Sequence, residues 1–187
     1  LQAAGMDSLF TVALHTPAIE SFFSIPIVNV RVAAIIEQHI QQKFDSLDNV
    51  CLVAPDEGAQ DRVQAIAQQL GIGFLTIIKE RYAPDEVRII KTIGKCRGTT
   101  AIIIDDIIAT GGTVLQAVDK LESMGFKQLY GYFIHPVFAG NAFEKITASK
   151  LQKIFVSNTI PLQQQNAKVE VFDVSKPVIA AIKRTIM

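Results

Sequence analysis

With 187 residues, 49% of them hydrophobic and 19% charged, the chain carries enough apolar material for one globular domain or a small two-lobed one, which excludes intrinsic disorder and coiled coil. Its 18 basic residues balance 18 acidic ones and no long single-sign block occurs, so broad nucleic-acid affinity through phosphate neutralisation is not expected. No apolar run approaches the ~18 residues of a membrane span and the N-terminus lacks the basic-then-apolar layout of a signal peptide, so a soluble protein without a membrane partner is expected.

Taken in chain order, short β-branched runs alternate with segments of helical periodicity, the pattern of an α/β fold with a mostly parallel sheet flanked by helices. A strand is predicted over Leu9 to Ala13, a helix over Val32 to Lys43, a strand over Val50 to Ala54 and a helix over Asp61 to Leu70 that stops at Gly71. The strand Phe74 to Ile78 follows. From Lys79 to Gly98 the texture turns charged, with Pro84, Gly94 and Gly98, and reads as a long flexible loop between two strands. Ala101 to Asp105 has no apolar–polar alternation, as expected of a central strand covered on both faces. A helix over Thr113 to Met124, stopped by Gly125, precedes strands at Leu129 to Ile134, Lys153 to Val156 and Val169 to Phe172, and a last helix over Lys176 to Arg184. Cys51 and Cys96 are too few for a disulfide framework and lack metal-ligand spacing, so a reducing cytoplasm is the expected compartment. A first residue Leu1 in place of methionine points to something upstream.

The most specific segment is AIIIDDIIATGGTVLQAVDKL, residues 101–121. A buried strand ends in Asp105 and Asp106, and the turn Ala109-Thr110-Gly111-Gly112-Thr113 leads into an amphipathic helix. Glycines let backbone amides approach a phosphate, and the helix N-terminus adds partial positive charge. The two threonine hydroxyls can donate to the same oxygens, and the carboxylates, about one sugar length away by this motif logic, suit ribose hydroxyls or a metal. No lysine follows the glycines, and the spacing is not that of the dinucleotide fingerprint. In purely structural terms the same residues make a tight strand-to-helix connection with Thr110 or Thr113 as N-cap.

This acid-acid-x-x-x-T-G-G-T segment resembles the phosphoribosyl-diphosphate (PRPP) loop of type I phosphoribosyltransferases and of ribose-phosphate pyrophosphokinases. TVALHTPAIESFFSIPIVNV (11–30), APDEGAQDRVQAIAQQLG (54–71), KERYAPDEV (79–87), HPVFAGNA (135–142) and SNTIP (157–161) resemble segments of the pyrophosphokinases in particular, in order along nearly the whole chain. The resemblance implies a phosphoribosyltransferase-like fold in which residues 1–187 form a single domain, the second half of a two-domain family. It also implies transfer of the diphosphoryl group of ATP to O1 of ribose 5-phosphate, giving PRPP and AMP, with Mg2+ as cofactor and a homo-oligomer as the assembly. By the same resemblance Ala109, Thr110, Gly111, Gly112 and Thr113 hold the 5-phosphate, Asp105 and Asp106 the ribose hydroxyls, and His15 and Asp56 the metal, while Lys79 and Arg81 are the catalytic cations. Ala13 departs from an aspartate common in the family, and Ala109 from one found in many members.

Lys79 and Arg81 can also be read as a solvated pair beside Glu80. His39 is expected at a helix surface, and Phe10, Phe22, Phe23 and Phe133 in the core. His135 is placed at a strand end on the ligand side, and Ser157 to Thr159 as a cap or ligand contact. Two other functions fit the same loop: a PRPP-using phosphoribosyltransferase, and a non-catalytic regulatory or associated subunit that binds ribose phosphate.

Overall fold

A computed structural model describes the backbone of residues 1–83 and 86–186 and the side chains of residues 1–79 and 91–185. Seven strands form the main sheet: β3 (Val50–Ala54), β4 (Gly73–Ala83), β5 (Glu86–Lys95), β6 (Thr100–Ile108), β7 (Gln128–Pro136), β8 (Lys153–Ser157) and β9 (Val169–Phe172). Their order is β5-β4-β3-β6-β7-β8-β9, with every neighbouring pair parallel except β4 and β5. Two short strands, β1 (Leu9–Val12) and β2 (Ile27–Val30), pair separately and in parallel. The α/β reading therefore holds, and the parallel sheet is its centre.

Period-two alternation divides the apolar side chains of the central strands between two cores. Val53, Ala101, Ile103 and Phe133 face Val114, Val118 and Leu121 of α3 (Gly112–Ser123) and Ile146 of α4 (Ala142–Ala148). Leu52, Ile102, Ile104 and Tyr132 face Ile36 and Ile40 of α1 (Ala33–Lys43) and Val63 and Ile66 of α2 (Gln60–Leu70). A strand covered on both faces needs no polar face, which is why residues 101–104 are aliphatic throughout. A fifth helix, α5 (Ser175–Ile186), packs near β1 and β2.

Three expectations change. The charged stretch after residue 78 is not one long loop: β4 continues through Ala83 and pairs antiparallel with β5, Lys79 opposite Ile89 and Phe74 opposite Lys95. Charged side chains are common on such an edge, where the backbone still gains ladder hydrogen bonds. His39 is no surface residue, for its side chain is 15% exposed and its ring lies against Tyr132, Phe155 and Phe172. Phe133 is core, but Phe22 is 86% exposed. Among the described residues, no helix is long and apolar enough to cross a membrane.

The fully buried Tyr132 hydroxyl is hydrogen-bonded to His39 Nδ1 at 2.9 Å, which satisfies both polar groups beneath α1. Tyr132→Phe leaves that nitrogen unpaired among aromatic rings, and it is expected to lower the unfolding free energy by about 1 kcal/mol. Urea denaturation at constant m-value measures it.

Candidate functional site

Beyond the carboxyl end of β6, residues 109–111 turn into α3. Gly111 is the N-cap with φ 78°, and neither threonine caps the helix, since no side chain accepts from its first turn. Its amide donors are thus left for an external acceptor, as an anion-binding turn requires. A Cβ on Gly111 would lie 2.9 Å from Ile146 Cγ1, so conformation and packing both demand glycine there. The turn is anchored from behind, where Phe138 N donates to Ile108 O and Ala139 N to Ala109 O, each at 3.0 Å.

Asp105 and Asp106 are 9% and 2% exposed. Each carboxylate accepts from the next backbone amide, Asp106 N to Asp105 Oδ1 and Ile107 N to Asp106 Oδ1, both at 2.9 Å. Arg62 of α2 reaches the pair: its Nη2 donates to Asp106 Oδ2 at 3.1 Å, and its Nη1 lies 3.8 Å from Asp105 Oδ1. That Nη1 is buried and makes no hydrogen bond. His15 Nδ1 lies 2.9 Å from Asp106 Oδ2, with its side chain 67% exposed.

Burial, then the Asp56 charge and the hydrogen bond and charge of Asp106, push the Asp105 carboxyl up to about 7. Burial would raise Asp106 as well, but the Arg62 guanidinium and the His15 and Asp105 hydrogen bonds outweigh it and hold that carboxyl below its usual range. The two adjacent acids are thus shifted in opposite directions, Asp105 upward by burial and the Asp56 charge and Asp106 downward by the Arg62 guanidinium.

Asp56 ends the segment after β3 and accepts from Ala59 N at 3.2 Å; a Cβ on Gly58 would sit 3.3 Å from its Oδ1, so the glycine keeps that carboxylate accessible. Lys79 of β4 donates from Nζ to Thr113 O at 3.4 Å, which joins the β4–β5 ribbon to the first turn of α3. Arg81 lies two residues further along β4, and its side chain is outside the described residues. His135 lies on β7 with Nε2 3.0 Å from Val12 O and 3.3 Å from Ala13 O, and Nδ1 3.0 Å from Thr159 Oγ1. It fastens the segment that leads to His15, where Ala13 adopts φ 45°. Ser157 and Thr159 both donate to Ile134 O, so these hydroxyls brace the strand end.

Tertiary structure therefore brings His15, Asp105, Asp106, Lys79 and the turn 109–113 to one end of the sheet, with Asp56 close enough for its charge to act on Asp105. Sequence reasoning missed Arg62; its signal was the single cation one turn into the helix that follows Asp56. Among the described residues no three of His, Cys, Asp and Glu are grouped so as to hold a metal by themselves. Magnesium bound at Asp56 would take its remaining oxygens from substrate and water, which is its ordinary habit on proteins.

Comparison with known proteins identifies a family. Residues 81–187 match the phosphoribosyl synthetase-associated domain family. The chain is similar to a ribose-phosphate pyrophosphokinase of Aquifex aeolicus, 34% identical over 185 residues, 98% of this chain and 59% of that protein. It is also similar to one from Ralstonia nicotianae, 36% identical over 168 residues, 90% and 52% of the two chains. The crystal structure of phosphoribosylpyrophosphate synthetase from Mycobacterium smegmatis superposes with a TM-score of 0.86 at 27% identity, covering 99% of this chain and 60% of that one. The chain thus spans a little over half the length of these relatives.

Asp105 gives the site a pH signature. Its folded value lies above the ordinary 3.8, so the folded state holds this proton where the unfolded chain has lost it. The stabilisation is complete below about pH 4 and is lost as pH rises through about 7. Asp105→Asn is therefore expected to raise the melting temperature relative to the parent by several degrees more at pH 8 than at pH 5, on the scale of about 2–4 °C per kcal/mol; differential scanning fluorimetry at the two pH values measures it. Gly111→Ala is expected to destabilise the fold by about 1–3 kcal/mol through the left-handed φ, read by urea denaturation.

Proposed function

We propose that this chain, which belongs to the phosphoribosyl synthetase-associated domain family, binds ribose 5-phosphate at residues 109–113 and serves the transfer of the diphosphoryl group of ATP to the sugar O1, giving PRPP and AMP. The observation that carries this reading is the conjunction at one strand end of an uncapped, glycine-requiring helix start, two buried carboxyl groups and the Lys79 ammonium within hydrogen-bond reach of Thr113 O. The turn's amides and the Thr110 and Thr113 hydroxyls hold the 5-phosphate. Asp106, kept ionised by Arg62 and His15, accepts from a ribose hydroxyl, while Asp105 exchanges its proton near neutrality and either donates to or accepts from the neighbouring one.

Diphosphoryl transfer asks the protein mainly for positioning and for cations where negative charge grows. Lys79 supplies one such cation, and Arg81 is the second. Asp56 and His15 are the residues that would hold magnesium, which when bound would supply positive charge against the phosphates. The same resemblance supports one phosphoribosyltransferase-like domain over residues 1–187 and self-assembly, for which the exposed Phe22 offers apolar surface; work in the cytoplasm rests on the cysteine count, and Cys51 and Cys96 are joined by a disulfide.

Phosphorus NMR of the chain with magnesium, ATP and ribose 5-phosphate tests the reading: AMP and a new sugar diphosphate are expected. Lys79→Ala is expected to cut turnover by about 100- to 1,000-fold with sugar binding unchanged. Sugar binding with no diphosphate product, even from the full-length gene product, would favour a non-catalytic, ribose phosphate-binding subunit.

A further inference from the structure

A groove of about 930 Å3 lies at the amino ends of the parallel strands, at the opposite end of the sheet from Asp105 and Asp106. Its lining includes Asp48, Gly73, Lys95, Cys96 and Arg97. Here a disulfide joins Cys51 of β3 to Cys96, just past the end of β5, with Cα atoms 5.7 Å apart. The link crosses a strand. Cys51 is in register with Gly73 of β4, and the next β4 residue, Phe74, pairs with Lys95 of β5. Neighbouring strands stand ~4.8 Å apart, so two residues with a strand between them would be separated by about 10 Å in a flat sheet. The chain leaving β5 therefore folds over Gly73 to reach Cys51. A Cβ on Gly73 would fall 2.6 Å from the Lys95 carbonyl oxygen and 3.2 Å from Cys96 Sγ, and Gly73 has no left-handed φ to explain its identity. The glycine is there to let the two cysteines meet.

We propose that Cys51 and Cys96 form a redox modification site, open through the groove to small thiols and disulfides such as glutathione, whose oxidation state decides how firmly the end of β5 is held to the sheet. Access is one-sided. Cys51 is fully buried, while Cys96 is partly exposed and lines the groove, so Cys96 is the point of entry. Exposed Lys95 and Arg97 flank it and favour the approach of anionic thiols, with Asp48 the acidic group on the same lining.

On oxidation the Cys96 thiolate attacks one sulfur of the small disulfide, whose S–S bond breaks and releases one thiolate. Cys51, deprotonated, then displaces the second thiolate from the mixed disulfide as the Sγ–Sγ bond forms. The cysteines lose two electrons and two protons in all, and the small disulfide becomes two thiols. Reduction is the reverse, driven by excess thiol.

The mechanical effect follows from topology. β5 is the edge strand and pairs within the sheet only with β4. The crosslink adds a second attachment, to β3, roughly 20 Å along β4 from Lys79 at ~3.4 Å per residue. Breaking it leaves the end of β5 held by the ladder alone, so this strand frays more readily.

The test equilibrates the purified chain in glutathione buffers from reducing to oxidising, followed by alkylation with mass mapping and by hydrogen exchange. Expected are reversible opening and closing without denaturant, alkylation of Cys96 well before Cys51, and exchange at the amides of residues 91–97 about tenfold or more faster in the reduced chain. Gly73→Val, shown to be folded by circular dichroism, is expected to keep both thiols free in oxidising buffer. Cys96→Ser is expected to exchange like the reduced parent in every buffer; should that variant fail to fold, the reduced parent itself supplies the comparison. The proposal is overturned if both parent thiols stay free in oxidising buffer, if the bond opens only in denaturant, or if the two redox states exchange alike.

Discussion

A central strand with no polar face imposes the order of everything around it. Residues 101–104 of β6 are all fully buried, so the sheet must carry helices on both sides, and crossover connections place β6 parallel to its neighbours β3 and β7. That parallel arrangement gathers the carboxyl ends of β3, β6 and β7 on one side, where Asp56, Asp105, Asp106 and His135 lie. Apolar burial thus locates the polar site, since ligands in open α/β sheets bind beyond these strand ends.

The two aspartates show how burial becomes chemistry. Side by side in sequence, they differ because Asp106 receives Arg62 and His15 while Asp105 faces further negative charge. Desolvation makes such pairing decisive, because an isolated buried carboxylate is far less stable than its protonated form. The outcome is one fixed acceptor and one group poised to exchange a proton, held by main-chain amides that leave little freedom to rearrange. The β4–β5 ribbon is the contrasting element: an antiparallel extension at the sheet edge, tied to the start of α3 through Lys79 at one end and to β3 through Cys96 at the other. Edge position gives it independence from the core, and these two attachments limit it.

Much of this was legible without coordinates. Each predicted strand and each predicted helix is present within a few residues, because periodicity reports which side must be buried. The segment 101–113 announced its own geometry: aliphatic run, acids, then glycines at the point where the chain reverses. What escaped notice were elements of weak or mixed pattern. β2 is short, α4 has only seven residues, and β5 hides in a charged stretch because an edge strand need not be apolar.

Residue types and their local spacing by themselves determined the α/β class, the central strand and the glycine turn before α3, since each depends on neighbours a few positions away. Partnerships were decided only by the fold. His15 meets Asp106 across 91 residues, Arg62 meets the same carboxylate across 44, and Cys51 meets Cys96 across 45. His39, polar in a helical pattern, became a half-buried residue packed on aromatic rings because Tyr132 and Glu170 face it from β7 and β9. Such pairings depend on strand order and on clearances such as that over Gly73, and chain order alone does not encode distance once the chain has closed on itself.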